Sequence, residues 1–285
     1  MADKNTDFQQ KLTLNVRGSQ LDLSSPKLMG IINLTPDSFF DGGRNNSIEN
    51  ALKKTEEFLT EGADLLDLGA YSSRPGAEHI SEETEHERLV PVVKAIAKEF
   101  PQALISIDTF RSGIAKAAIA EGGHLINDIS AGEMDENMFQ TIAELKVPYI
   151  LMHMRGTPKT MTQLTDYADL LSEISQYFSR KIKQLNNLGV HDLIIDPGFG
   201  FAKTIDQNYE LLAKLENLKI LGYPILAALS RKSMIYKLLD TDAEHALNGT
   251  TAANTIALLN GANILRVHDI AEAKEAIQIV EKLRF

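Results

Sequence analysis

The chain has 285 residues, 44% of them hydrophobic, and 29 Lys and Arg against 39 Asp and Glu give it a formal charge of −10. That length suits a single α/β barrel of about 250 residues, and the acidic balance without basic runs argues against a nucleic-acid surface. There are no cysteines, which removes disulfides, thiolate nucleophiles and cysteine metal sites together.

The N-terminus is polar and charged, so it reads as neither a signal peptide nor an anchor. No apolar run approaches the roughly 18 residues that a spanning helix needs. A cytoplasmic chain without membrane contact is expected, with 1–10 a flexible tail and 11–285 one domain. Residues 11–23 alternate and turn at Arg17-Gly18-Ser19, which predicts a β-hairpin. Strand-like apolar runs then follow at 27–33, 64–69, 103–108, 124–128, 148–153, 192–196, 224–230 and 262–267. Helical patterns occupy 47–61, 81–99, 111–121, 136–145, 169–188, 206–215, 232–239, 244–259 and 270–283. Eight strands in alternation with helices, one extra helix falling between the seventh and eighth, predict a (β/α)8 TIM barrel whose floor the hairpin caps. A doubly wound sheet is the rival. Its glycine signature would have to be Gly198-Phe199-Gly200-Phe201-Ala202-Lys203, which follows the sixth strand and lacks the third glycine.

Every predicted strand ends in residues able to bind or charge a ligand. In order they are Asn33, Ser73 with Arg74, Asp108, Asn127 with Asp128, His153, Asp196, Ser230 through Lys232, and Arg266 with His268. In a barrel those ends converge on one face. Any single Asp, Ser or Asn there could instead be a helix N-cap. The arginines and the lysine cannot take that role.

The polar loop Asn33-Leu34-Thr35-Pro36-Asp37-Ser38-Phe39-Phe40-Asp41-Gly42-Gly43 follows the first barrel strand. Further along come Ser72-Ser73-Arg74-Pro75-Gly76-Ala77, Ser106-Ile107-Asp108-Thr109 and Ile126-Asn127-Asp128-Ile129-Ser130. Then follow Leu151-Met152-His153-Met154-Arg155-Gly156-Thr157-Pro158, Asp196-Pro197-Gly198-Phe199-Gly200-Phe201-Ala202-Lys203, Ser230-Arg231-Lys232 and Arg266-Val267-His268-Asp269. Taken in order, these stretches resemble the motifs of the dihydropteroate synthase family and cover residues 28 to 270.

The resemblance implies a transferase of folate biosynthesis that joins 6-hydroxymethyl-7,8-dihydropterin diphosphate to p-aminobenzoate. It implies pterin binding by Asp108, Asn127, Ile129, Met152, Asp196, Gly200, Phe201 and Lys232, with Ile150 in the same apolar slot. Asp196 would read the donor edge of the ring, a task for which a carboxylate is suited. Asn33, Arg74, Arg266 and His268 would hold the diphosphate, and Mg²⁺ would sit on Asn33, with Asp37 as a further candidate. Phe39, Ser73, Arg74, Pro75, Lys232 and Ser233 would receive p-aminobenzoate. The catalytic set so implied is Asp108, Lys232, Arg74, Arg266 and His268, acting by a dissociative route in which Asp108 stabilises a pterin cation. A homodimer through late helices such as 244–259 and sensitivity to sulfonamides belong to the same expectation. Where the family often has Gly-Glu-Ser-Thr, this chain has Ala70-Tyr71-Ser72-Ser73. Ser73 keeps the hydroxyl and loses a methyl, which implies a looser p-aminobenzoate pocket.

Two other readings fit a pterin-binding barrel. A methyltetrahydrofolate-dependent corrinoid methyltransferase would have no use for a diphosphate site. A non-catalytic pterin-binding protein would be expected to have lost Arg74, Asp108 or Lys232, and all three are present.

Overall fold

The computed structural model describes residues 10–34, 44–72 and 79–283. The hairpin consists of β1 (Thr13–Val16) and β2 (Ser19–Asp22). Its turn places Arg17 at φ 51° and Gly18 at φ 85°, the two positive values that match the twist of a tight hairpin.

Eight parallel strands follow: β3 (Lys27–Asn33), β4 (Leu65–Gly69), β5 (Leu104–Asp108), β6 (Leu125–Asp128), β7 (Tyr149–Met152), β8 (Leu193–Asp196), β9 (Leu226–Ala227) and β10 (Ile264–Val267). They pair in the order β8-β7-β6-β5-β4-β3-β10-β9, and a parallel bridge from Ile195 to Ile225 joins the two ends into a barrel. Between them run α1 (Arg44–Glu61), α2 (Glu82–Glu99), α3 (Ser112–Ala120), α4 (Met138–Leu145), α5 (Leu170–Asn187) and α6 (Ile205–Ala213). Among the described residues the remaining α-helices are α7 (Ser233–Leu238), α8 (Leu247–Leu259) and α9 (Ile270–Glu281).

Alternation along the strands sorts the side chains into two sets. Ile32, Leu66, Leu68, Ile105, Ile107, Leu151, Ile195 and Leu265 face outward and pack with helix residues such as Phe58, Val93, Phe178 and Ile277. Gly30 lies on this outer side, where a Cβ would stand 2.4 Å from the Phe58 ring, so α1 can approach only over a glycine. Facing inward at the lower level are Met29, Leu65, Leu125, Ile150, Ile194, Leu226 and Ile264. They form one apolar cluster with Leu14, Val16, Leu21 and Leu23 of the hairpin. The hairpin therefore seals the floor. Two residues further up, the inward positions turn polar on β4, β6, β8 and β10, at Asp67, Asn127, Asp196 and Arg266.

The structure shortens the seventh barrel strand from the expected 224–230 to two residues. The Ile225 N–H donates to Asn263 Oδ1 (3.0 Å) instead of joining a ladder, and Arg231 at φ 54° turns the chain away. Two 3-10 segments, Met161–Gln163 and Leu215–Leu221, were not anticipated. The expected tail lies, except for Gln10, outside the described residues.

Candidate active site

The inward upper positions meet at the carboxyl ends of the strands. Arg266 of β10 donates from Nε to Asp67 Oδ2 of β4 (2.5 Å) and from Nη2 to Asp108 Oδ2 of β5 (2.7 Å). Asn127 of β6 donates from Nδ2 to the same Asp67 Oδ2 (3.0 Å). Burial pushes the Asp108 carboxyl up to about 7; Arg266 pulls against this, while Asp67, Glu85 and Asp128 add to it. Burial would lower the Arg266 guanidinium, but Asp67 and Asp108 hold it above its ordinary value, so it stays charged. Asp108 does not cap α3. The Ser112 N–H at that helix start goes to Asp135 Oδ2 (2.7 Å) and the Arg111 N–H to Thr109 Oγ1 (3.2 Å).

Across the mouth, burial raises the Asp196 carboxyl and lowers the Lys232 amine to about 8, each partly offset by the other's charge. Asp196 Oδ1 accepts from the Gly198 N–H (2.7 Å). Gly198 itself, at φ 71°, leaves no room for a side chain, since a Cβ would meet the His153 carbonyl oxygen at 2.1 Å. Lys232 donates to the Phe199 carbonyl oxygen and stands 5.0 Å above the Phe201 ring centroid. An apolar wall of Phe110, Ile129, Met152, Met154, Met161 and Ala202 lies beside these groups, with Phe201 packed against it. A flat, polar-edged ring fits such a slot: apolar faces, and a carboxylate, an amide and an amine around the rim.

The Ser230 hydroxyl accepts from the His268 backbone N–H (3.2 Å) and lies 3.0 Å from His268 Nδ1.

A model described as pterin binding enzyme matches residues 29–268. A relative from Escherichia coli (strain K12) named dihydropteroate synthase is 42% identical over 272 residues, covering 95% of this chain and 96% of its own. The chain belongs to the dihydropteroate synthase family. The Yersinia pestis dihydropteroate synthase, in a crystal structure with a sulfonamide drug complex, superposes with a TM-score of 0.90 at 42% identity, covering 95% of this chain and 99% of that one. A Xanthomonas albilineans dihydropteroate synthase solved with 4-aminobenzoic acid gives a TM-score of 0.89 at 37% identity, covering 96% and 98%. Dihydropteroate synthases are transferases, and this chain is an enzyme of that class acting in folate synthesis.

Of the residues expected from the dihydropteroate synthase motifs, the structure brings Asp108, Asn127, Asp196, Lys232 and Arg266 to one mouth, with Ile129, Met152, Gly200 and Phe201 beside them. Asn33 ends β3 half-buried, and Ser233 opens α7. Asp37, Phe39, Ser73, Arg74 and Pro75 lie outside the described residues. Ile150 is corrected: it packs one layer lower, against the hairpin, because it is two positions before Met152 on the same face. Three strand-end residues also turn away from the mouth. Asp128 accepts from Tyr149 Oη (2.6 Å), the Ser130 N–H (2.7 Å) and the Gly132 N–H (2.8 Å) and so shapes its own loop. His153 packs edge-on against Tyr177, and Arg231 pairs with Asp269 through Nε and Nη2 (2.9 and 2.8 Å). Tyr71, the departure from the family pattern, packs edge-on on Phe110 with its hydroxyl 3.2 Å from His79 Nδ1.

Two residues given no role in the sequence reading matter here. Asp67 joins Arg266 to Asn127. Lys203 is buried, with Nζ within 3.0 Å of the Gly198 and Phe201 carbonyl oxygens and of His153 Nδ1. It thereby braces the loop that carries Gly198 and Gly200. Burial lowers Lys203 to about 7 and His153 to about 2, so His153 is the neutral acceptor.

Proposed function

We propose that this enzyme condenses 6-hydroxymethyl-7,8-dihydropterin diphosphate with p-aminobenzoate, releasing 7,8-dihydropteroate and diphosphate by a dissociative route. The observation that carries the reading is the convergence of Asp108, Asn127, Asp196, Lys232 and Arg266 beside an apolar slot. Asp196 accepts two hydrogen bonds from the guanidine-like edge of the pterin, Asn127 donates and accepts along the remaining edge, and Lys232 donates to the ring carbonyl. Ile129, Met152, Gly200 and Phe201 bound the ring faces.

Loss of diphosphate leaves positive charge on the pterin methylene. Asp108, ionised and held by Arg266, stabilises that charge, and the unprotonated aromatic amine of p-aminobenzoate then attacks without a strong base. His268 and Arg266 face the departing anion, with Asn33 and Arg74 completing its site. Phe39, Ser73, Pro75 and Ser233 receive the p-aminobenzoate ring and carboxylate.

The donor chemistry fits Mg²⁺. Asn33 offers a hard carboxamide oxygen at a strand end, and among the described residues no cluster of three or more His, Asp or Glu competes for a metal. A magnesium ion held by one or two protein oxygens keeps most of its waters. Asn33, joined by Asp37, would hold it, and when bound it neutralises charge on the diphosphate. A homodimer and a cytoplasmic location complete the proposal. Among the described residues no helix is long and apolar enough to cross a membrane, and Ile256 and Leu259 of α8 are exposed apolar residues on the helix expected to pair.

Diphosphate release from 6-hydroxymethyl-7,8-dihydropterin diphosphate, with and without p-aminobenzoate and Mg²⁺, tests the reading. Fast release with all components and slow release without the amine are expected. Absence of release with all three present would refute it.

A further inference from the structure

We infer that Asp67 is a positioning residue for the reaction, its one carboxylate oxygen setting both the seat of the Arg266 guanidinium and the hydrogen-bonding face of Asn127. The inference rests on the proposed pterin chemistry.

Asp67 sits in the middle of β4, in Leu65-Leu66-Asp67-Leu68-Gly69, and is wholly buried. Its Oδ2 accepts from Arg266 Nε at 2.5 Å and from Asn127 Nδ2 at 3.0 Å. Its Oδ1, equally buried, makes no hydrogen bond among the described residues, and neither does Ser106 Oγ, which stands opposite in the register with β5. A carboxylate left half-satisfied in a barrel core works against folding, and an apolar residue would fill that layer without the burden. What Oδ2 does for its two neighbours accounts for the residue.

Each neighbour gains a definite orientation. An amide side chain can present either its oxygen or its NH₂ to a ligand. With Nδ2 turned down to Asp67, Asn127 must offer its oxygen and its second N–H to whatever lies above. For Arg266, Nε is committed to Asp67 and Nη2 to Asp108, so the plane of the guanidinium is fixed by two carboxylates on adjacent strands, and Nη1 makes no hydrogen bond among the described residues. Asp108 in turn is held in place by an arginine that Asp67 anchors. One buried oxygen thus orders three groups of the proposed site, Asn127 and Asp108 on the pterin and Arg266 on the departing diphosphate.

Asp67→Asn keeps the shape and removes the charge. The proposal expects pterin affinity by calorimetry to fall tenfold or more and kcat to fall by a similar factor, while the p-aminobenzoate KM stays within twofold. The acid limb of the pH–rate profile should also move to lower pH, because Asp67 is one of the charges raising Asp108, together with Glu85 and Asp128, against the pull of Arg266. A residue needed only for folding would reduce the yield of enzyme and leave kcat, pterin affinity and the limb of the folded fraction alone. That outcome would overturn the inference. Should the variant not fold, the unmodified enzyme still decides. Arginine labelled with ¹⁵N should show a slowly exchanging Arg266 Nε–H, assigned through Arg266→Lys, and a rapidly exchanging one would reject the Asp67 contact. If the unmodified enzyme releases no diphosphate, the proposed function fails; if it does and Asp67→Asn matches it throughout, only the positioning role fails.

Discussion

On the proposed mechanism, Asp108 is the residue on which the chemistry turns. Asn is as good a helix cap as Asp, so Asp108→Asn separates a structural from an electrostatic role, and the structure has already removed the cap. Loss of one preorganised charge should lower kcat by about 10²–10³, with pterin binding changed much less. Single-turnover rates beside calorimetry would check this, and a wild-type rate would refute it. The pH dependence follows from two shifts. Asp108, raised to about 7, must be ionised, and Lys232, lowered to about 8, must be charged. The profile of kcat/KM should therefore rise through about 7 and fall above about 8, and Asp108→Asn should abolish the acid limb. On stability the Asp108 shift has the opposite sense. The folded chain holds that proton more tightly than the unfolded one, so this group opposes folding increasingly as pH climbs from about 4 to about 7. At this scale the motifs named nearly all the converging residues and also some that face elsewhere. Counting by twos from Asn127 and Met152 would have sent Asp128 and His153 outward. Asp67 carried its own signal, a lone carboxylate inside an apolar strand, which demands a partner.

Among the elements, the turn between β9 and α7 carries Lys232 and is held by something other than a strand ladder. Arg231 pairs with Asp269 through two nitrogens and donates from Nη1 to the Ala243 and Glu244 carbonyl oxygens at 3.0 and 2.8 Å, tying the start of α7 to the start of α9 and to the chain before α8. Both partners are partly exposed, with 26% and 18% of their side-chain surface accessible, which tempers the electrostatic part. Arg231→Ala should cost roughly 1.5–3 kcal/mol, the scale of hydrogen bonds to charged groups, and raise the KM for pterin. Urea unfolding would measure the first and steady-state kinetics the second; an unchanged midpoint would contradict the tie. Helix boundaries were legible because the patterns carry their own punctuation, as Ser81 shows by accepting the Thr84 N–H at the start of α2. The two 3-10 segments were not, since so short a turn shows no helical periodicity, and β9 was overread because the Asn263 side chain replaces a strand partner that no local pattern announces.

For the molecule as a whole, the barrel and its plugged floor were both legible in the alternation of apolar runs and helical stretches. The level of a given inward residue was legible only by counting along its own strand: Ile150, two residues before Met152 on the same face, belongs one layer lower. Leu14 is 1% exposed in the floor cluster, so Leu14→Ala should destabilise by about 2–5 kcal/mol while the activity of the folded enzyme survives. A thermal scan with parallel assays would check both, and lost activity at full stability would deny the separation of floor from mouth. The sealed floor also governs traffic. A barrel with one door admits and discharges everything through the same rim, so whatever lies deepest must arrive first and depart last. On the proposed chemistry the pterin, seated against Asp196 and Asn127, precedes the amine, and the finished pteroate blocks the doorway until it goes. Dihydropteroate should then compete with the pterin diphosphate and not with p-aminobenzoate, and a random order in product-inhibition kinetics would show that the door is wider than the geometry implies.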